Sequence, residues 1–370
     1  MTTEWNERHD TDPEFVARMF YRSLCNQPER IERILNPITS EDHLLRIQAD
    51  LLIDHTRLYR VARQRAISRG TEDLLEPAFE RDFSAYLDDM TEIGRMIAEC
   101  VPHRYLLTNS REAMCLETEG GRAIVVSEAL RYALYFMNLG FGALYGLPDI
   151  PSDINVPALI IAARTMRMSE AMDFDLDPRG AIPSDIDGWL SHMTAWQMRF
   201  VIGHEFAHHR LDHRGLGLRI VRPITTSNQA NVDGREWHSH LRGWDEEYAA
   251  DLGAISEVEE ETARKHLAMA AALFFLYLEF FELVDEGIDP SYAQLDTHPP
   301  TAERLRRIVD QFGGLIDIDQ EWAASKLNYV RRCAANILEK NKEQEGILTF
   351  YGSIYLASWR GKALVDRVDY

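Results

Sequence analysis

The sequence has 370 residues, of which 45% are hydrophobic and 27% are charged, so it can fold as one large domain or two ordinary ones. Its formal net charge of -20 at pH 7 argues against binding to nucleic acid or to anionic lipid. The four cysteines form no CxxC pair, and the acidic N-terminus has no signal-peptide pattern. We therefore expect a cytoplasmic protein with reduced thiols.

The first hundred residues have a helical pattern. Ser40 is placed to cap a helix that continues to Arg69 and ends at Gly70, and further helices are expected at about 13–25 and 80–100. No catalytic motif occurs in this stretch. We predict a helical N-terminal region, residues 1–100, that serves as a scaffold or docks a regulatory partner.

Short apolar runs between 101 and 126 predict a small β-hairpin or sheet. The runs YLLTN, AMCLET and RAIVV include a pair that flanks the turn at Glu119 to Gly121. Helical pattern resumes at Ser127, and Pro148, Pro151 and Pro157 predict a loop after it. The expected fold class is therefore mainly α with a small β-hairpin or sheet (α+β).

The segment WQMRFVIGHEFAHHRLDHRG contains an HExxH motif formed by His204, Glu205 and His208. On a helix, positions i and i+4 lie on one face, so two imidazoles can reach one ion, and zinc is the usual one. An apolar stripe places these two histidines on its inward-facing edge. Glu205 stands to one side of the pair and is the expected catalytic base.

Two neighbouring patterns need an explanation. His209 and His213 also have i, i+4 spacing, but the helical phase predicts that they face solvent on the opposite side. A metzincin would need a histidine at position 214 and a glycine at position 211, where this chain has Arg214 and Leu211. That ligand pattern is excluded, so a third ligand has to come from another segment.

A carboxylate on a second helix can supply that ligand. In WDEEYAADLGA, Glu247 and Asp251 share one helical face, and Ala249 and Ala250 are small enough for two helices to approach closely. Glu247 would complete a site of two histidines and one glutamate, and Asp251 would accept a hydrogen bond from the outer nitrogen of a ligand histidine. Asp245 is placed to cap this helix.

Two alternatives stay open for this second helix. Glu246 replaces Glu247 as the ligand if the helical phase differs by one residue. Otherwise the segment is an acidic, solvent-exposed helix face that binds no metal. Between the two metal-binding segments, residues 214–243 are expected to form an irregular loop that gates the cleft or only connects the helices.

The most apolar run, Leu267 to Leu278, is shorter than the roughly 20 apolar residues that a membrane span needs. It predicts a buried core helix and no membrane span.

The motifs resemble those of gluzincin zinc metallopeptidases, in which HExxH is followed by ExxAD. The segment DTHPPTAER, with His298, Pro299 and Arg304, is similar to the HP…R segment of the family that contains the CAAX prenyl endopeptidases and the heat-shock protease HtpX. The resemblance covers Val101 to Gln311. Those relatives are membrane-embedded or membrane-tethered, and this chain has no span. The soluble phage-exclusion protease Lit and the ImmA/IrrE proteases are closer in character, and the sequence does not decide between these branches.

We predict a zincin-like catalytic domain at residues 101–345 and a tail at residues 346–370 that packs on the core; the resemblance does not cover Asp317 to Tyr370. It implies Zn²⁺ as the cofactor and His298 as the donor to the oxyanion. Arg304 is expected to pair with a carboxylate near the site, for which Asp251 is the candidate. Tyr248 and Tyr292 are weaker candidates for the oxyanion donor, and ordinary packing is the favoured interpretation of both. The strand RAIVV resembles the family's active-site edge strand. Its residues Ala123, Ile124 and Val125 are therefore expected to bind a peptide substrate by β-augmentation. The alternative is that the strand is a plain sheet edge.

The sequence therefore predicts a zinc-dependent intracellular endopeptidase that acts on a protein or peptide substrate and is regulated or defence-related. A zinc-containing regulatory protein without peptidase activity is the second hypothesis, although an intact Glu205 argues for the first. A helical interaction protein with a chance motif is the third.

Overall fold

A computed structural model describes residues 13–108, 113–142, 150–168, 170–213, 217–221, 237–241, 243–290, 298–344, 346–349 and 353–361. Within these residues the chain is mostly helical and has one small five-stranded sheet, so the predicted mainly α class with a small β component is confirmed.

Six α-helices of the described residues precede the first strand. They are α1 (Pro13–Arg22), α2 (Pro28–Leu35), α3 (Ser40–Asp54), α4 (Thr56–Arg69), α5 (Arg81–Asp89) and α6 (Glu92–Ala98). The predicted single helix from Ser40 to Arg69 is wrong, because the backbone of His55 is extended and separates α3 from α4. Thr39, rather than Ser40, is the cap of α3, in a reciprocal arrangement with Asp42. Gly70 ends α4 in a left-handed conformation, φ 68°, as predicted.

The five strands are β1 (His103–Leu106), β2 (Ala113–Thr118), β3 (Gly121–Ser127), β4 (Gly217–Val221) and β5 (Trp237–Leu241). Their order in the sheet is β1-β3-β2-β5-β4; β1 and β3 are parallel and all other pairs are antiparallel. The predicted hairpin is confirmed as β2 and β3. The prediction of an irregular loop at 214–243 is wrong for β4 and β5. Their short sequences, GLRIV and WHSHL, have weak β patterns. Residues 214–216, 222–236 and 242 of that loop lie outside the described residues.

Both faces of strand β3 are covered. Along β3, Ala123 and Val125 belong to a core shared with α1 to α4, whereas Ile124 and Val126 belong to a core shared with the later helices. The alternation follows from the period of two in a strand. It explains why RAIVV has an uninterrupted apolar run, which is typical of a strand buried on both faces.

Seven α-helices follow the hairpin in the part of the chain that the structure describes. They are α7 (Glu128–Gly140), α8 (Ser152–Met168), α9 (Ser184–Arg210), α10 (Trp244–Ser256), α11 (Glu261–Ile288), α12 (Thr301–Ile316) and α13 (Gln320–Glu343). Pro157 lies inside α8 rather than in a loop, so the loop predicted there is wrong at this residue. Burial of the apolar stretch from Ala158 to Ala163 favours the helix despite the backbone hydrogen bond that proline removes.

Helix α11 lies in the core and packs against α9, α12 and α13. It is long and apolar enough to cross a membrane, but 78% of its most apolar window is buried inside the protein. The predicted core helix is therefore confirmed, and the compartment stays a prediction.

The boundaries predicted at residues 100 and 345 and the role of the N-terminal region also stay predictions. In the described part of the tail, the Leu356 amide donates to the Arg179 carbonyl at 2.9 Å.

Candidate metal centre

Helices α9 and α10 meet through small side chains. A Cβ added to Gly253 of α10 would lie 3.3 Å from the Cβ of Ala207 on α9. Ala250 is fully buried, whereas Ala249 is exposed, so only one of the two predicted small residues lies at the helix contact. The close approach brings one face of α10 against the HExxH face of α9.

A second close contact precedes the first histidine. A Cβ on Gly203 would lie 2.5–2.6 Å from ring atoms of Tyr86 in α5, so the side chain of this residue has no space beyond hydrogen. The Tyr86 hydroxyl donates to the Ala254 carbonyl of α10 at 2.9 Å. Tyr86 thereby links three helices around the turn that carries His204. No motif in the sequence points to Tyr86.

His204, His208 and Glu247 form one buried cluster. Their exposed fractions are 8%, 1% and 2%, and one ligand atom from each lies within 4.8 Å of the others. The two Nε2 atoms of His204 and His208 are 3.0 Å apart. Glu247 places Oε2 at 3.5 Å from Nε2 of His204 and Oε1 at 3.3 Å from Nε2 of His208. These three residues could hold a metal ion.

The distances fit the edges of a tetrahedral site. Ligand bonds of about 2.0–2.1 Å at tetrahedral angles place neighbouring ligand atoms about 3.3 Å apart. The Oε2 atom of Glu247 is buried and makes no hydrogen bond within the described part of the chain. Arg304 Nη2 lies 3.6 Å from this oxygen, within ion-pair range but beyond hydrogen-bond distance. A buried carboxylate oxygen without a hydrogen-bond donor is costly, and a cation between the three side chains would relieve that cost.

Asp251 contacts His204 of the cluster, and Arg304 in turn contacts Asp251. Oδ1 of Asp251 lies 2.9 Å from Nδ1 of His204, which directs the opposite nitrogen of that ring toward Glu247. Arg304 of α12 donates to Asp251 twice, from Nε to Oδ2 at 2.8 Å and from Nη2 to Oδ1 at 2.6 Å. The guanidinium also lies over the Phe275 ring, 4.7 Å from its centroid. Both predicted contacts are present, and the functional roles of Asp251 and Arg304 stay predictions.

His213 contacts the cluster, contrary to the sequence prediction. Its Nδ1 lies 2.9 Å from Nδ1 of His208. The solvent-facing position was predicted by extending the helix to residue 213, but α9 ends at Arg210 and Asp212 has a left-handed backbone, φ 51°. The turn brings His213 back to the outer nitrogen of His208. His209 is partly buried on another side of the helix.

The carboxylates change the protonation of the cluster. Burial lowers the pKa of His204, but close contact with the negatively charged Asp251 and Glu247 outweighs burial and raises this pKa to about 9. Burial favours the neutral form of Glu247, yet His204 and His208 hold its pKa far below the usual range. Burial also opposes ionisation of Asp251, and Arg304 outweighs it and lowers that pKa. Both acids are therefore carboxylates at neutral pH.

The remaining candidates have distinct positions. His298 is 58% exposed and places Nε2 at 3.8 Å from Oε2 of Glu247, so the structure brings it to the cluster. Glu205 is 7% exposed on α9 beside His204. The Tyr248 ring lies under the Arg307 guanidinium, 3.6 Å from its carbon, which is the packing role favoured above. Tyr292 lies outside the described residues.

Two assignments at the start of α10 need correction. Glu246 accepts a hydrogen bond from the Gly243 amide at 3.0 Å and so caps the helix, which excludes it as the ligand in this arrangement. Asp245 was predicted as the cap, but it lies inside the helix, which begins at Trp244. Gly243 is the N-cap residue, and the third residue of the helix reaches back to it.

The predicted substrate strand is not an edge strand. Ala123, Ile124 and Val125 are 0–2% exposed, and β3 lies between β1 and β2, with Ile124 paired to His103 and to Cys115. The prediction that these three residues bind a peptide by β-augmentation is therefore wrong. The hydrophobic pattern identified a strand, but it could not show that β1 covers its other side. The outer strands among those described are β1 and β4.

Comparison of the chain with protein-family models, with curated proteins and with solved structures finds no match. The resemblance to gluzincins therefore stays an interpretation of the three motifs.

Proposed function

We propose that the chain is a zinc-dependent endopeptidase that hydrolyses peptide bonds of a protein substrate inside the cell. The observation that carries the proposal is the buried convergence of His204, His208 and Glu247 from two helices, with Glu205 next to the first histidine. A metal that only stabilises a fold needs no general base, whereas hydrolysis does. The zincin-like character of the domain is part of this proposal.

The donor set favours zinc. Two imidazole nitrogens and one glutamate oxygen are a ligand set that catalytic zinc takes while keeping a position open. The site has no thiolate among its described ligands, and it lacks the all-oxygen shell that Mg²⁺ and Ca²⁺ prefer. When bound, zinc lowers the pKa of water and polarises the carbonyl group of a peptide bond.

Side chains of this protein transfer the proton, orient His204 and bind the oxyanion. Glu205 takes the proton of the attacking water and passes it to the nitrogen of the leaving amine. Asp251, held by Arg304, keeps the His204 ring in one tautomer and orientation. His298, exposed beside Glu247, donates a hydrogen bond to the developing oxyanion.

Replacing Glu205 by glutamine tests this proposal. The amide has the size of the carboxylate but cannot accept the proton, so the Glu205→Gln protein should bind one zinc per chain and lose cleavage. Both proteins would be incubated with an extract of the cells that express the chain, and new protein N-termini would be labelled and identified by mass spectrometry. We expect new N-termini from the native protein alone, lost on chelation and restored by zinc. Equal sets from both proteins, or none from either, would contradict the proposal.

A further inference from the structure

A cavity of about 560 Å³ lies beside the N-terminal half of α9. Its described lining residues come from α7, from the segment that follows α8, from Phe79 and from α9, and none of them belongs to the metal cluster. Thr194 lines the cavity and His204 is ten residues further along the same helix, which is about 15 Å at 1.5 Å per residue. The volume is in the range of small-molecule sites, about 300–1,000 Å³.

The walls of the cavity are aromatic. Rings of Phe79, Tyr132, Tyr135, Phe136 and Phe174 line it. Phe174 packs edge-on against Tyr132 and Phe136, with centroids 5.3 Å apart in both pairs, so these walls are held rigidly. Aromatic faces carry negative charge density and attract a cation that is withdrawn from water. Arginine guanidinium groups already lie over Phe79 and Phe174, so the rings considered for a ligand cation are Tyr132, Tyr135 and Phe136.

Three side chains of the lining donate hydrogen bonds to carboxylates. The Tyr135 hydroxyl donates to Asp187 at 2.5 Å, and the Tyr132 hydroxyl donates to Asp175. The Arg131 guanidinium is paired with Asp82 and lies over the Phe79 ring, 4.5 Å from its centroid. The oxygen lone pairs of the two tyrosine hydroxyls remain for a ligand, so Tyr132 and Tyr135 favour a ligand that donates hydrogen bonds.

One negative charge in the lining lacks a cation. Asp175 is neutralised by Arg65, whose Nε lies 2.5 Å from it. Asp187 has no ion-pair partner in the part of the chain that the structure describes, and it is exposed at the mouth of the cavity. An incoming cation could therefore pair with Asp187 without displacing an existing partner.

We propose that this cavity binds a small organic cation, an amine carried on an aromatic or aliphatic body, with the ammonium group at Asp187 and the body between the aromatic rings. The shape, the aromatic rings with their tyrosine hydroxyls and the unbalanced carboxylate are all needed for this selectivity. An uncharged molecule of the same shape would keep the apolar contacts but lose the ion pair and the cation–π attraction.

Calorimetric titration of the full chain with phenethylamine and with 2-phenylethanol tests the proposal, because the two probes differ in the charged group alone. We expect the amine to bind at least about tenfold more tightly than the alcohol. Asp187→Asn should weaken amine binding by about tenfold, whereas Asp185→Asn should leave it unchanged. Asp185 is the matched control because it is also exposed in the first turn of α9 but does not line the cavity.

A second variant locates the binding site. Ser191 lines the cavity from α9, so Ser191→Phe should fill the space and abolish amine binding, with circular dichroism checking that the protein is folded. Equal binding of amine and alcohol, an Asp187→Asn protein with undiminished affinity, or retained binding in a folded Ser191→Phe protein would overturn the proposal. No detectable amine binding to the native chain would also overturn it. None of these results depends on peptidase activity.

Discussion

Arg304 holds Asp251 through two parallel hydrogen bonds, and both side chains are at most 5% exposed. The arrangement matters because Asp251 in turn contacts the outer nitrogen of His204. A residue of α12 therefore orients, through α10, a histidine of α9. Removing one member of such a buried charged set leaves another charge uncompensated.

Arg304→Lys should weaken zinc binding about 10–100-fold, since lysine keeps the charge but cannot form both bonds to Asp251. The affinity would be measured by competition with a zinc chelator at neutral pH. Arg306→Lys is the matched control, because Arg306 lies on the same helix but pairs at the surface with Glu303 and Asp310. Equal affinities for the two variants would contradict a positioning role for Arg304.

His213→Ala should also weaken zinc binding, by about tenfold, because His208 loses the group that contacts its outer nitrogen. His209→Ala is the control, since His209 is a neighbouring histidine for which the described structure shows no contact with the cluster. Zinc affinity of both variants would be compared by the same chelator competition. A loss in His209→Ala equal to that in His213→Ala would show that the contact has no specific role.

Zinc binding should tighten as the pH rises. The pKa of His204 in the metal-free protein is raised to about 9, so below that pH the ring carries a proton that zinc must displace. The apparent affinity should increase by up to about tenfold per pH unit and level off near pH 9. Calorimetry in buffers of different ionisation enthalpy should detect about one proton released from His204 per zinc at neutral pH.

The pH dependence has its own control. Asp251→Asn removes a carboxylate that raises the pKa of His204, so the affinity of this variant should level off at a lower pH than that of the native protein. An affinity that is independent of pH in the native protein would mean that His204 is not a ligand.

Gly203→Ala should destabilise the protein by about 1–3 kcal/mol, because the added methyl group overlaps the buried Tyr86 ring. Gly188→Ala, on the same helix, has no atom within 4 Å of the added carbon and should stabilise the protein by up to about 1 kcal/mol. Urea denaturation measures both free energies of unfolding. Effects of the same sign would be incompatible with the described packing at Gly203.

The local motifs predicted much of the candidate site. HExxH and ExxAD each depend on helical spacing within a few residues, so His204, His208, Glu247 and Asp251 could be placed on two helices from the sequence. Their convergence was a hypothesis, because nothing in the sequence measures the distance between two helices. The predicted hairpin depended in the same way on a local turn.

The errors arose where long-range contacts or chain ends decide the outcome. The position of His213 depends on where α9 stops, and helix boundaries are poorly determined by pattern alone. The interior position of β3 in the sheet depends on its pairing with β1, which no property of β3 itself indicates. Tyr86 contacts Gly203 across a large sequence separation, so only the three-dimensional packing identifies it.

X-ray absorption at the zinc edge, on protein whose metal content has been measured, tests the central claim most directly. We predict one zinc per chain with nitrogen and oxygen neighbours at about 2.0–2.2 Å, two of them imidazoles, and loss of this zinc in Glu247→Ala but not in Glu246→Ala. Metal-free protein, sulfur neighbours at about 2.3 Å, or full zinc retention in Glu247→Ala would contradict a shared site of His204, His208 and Glu247.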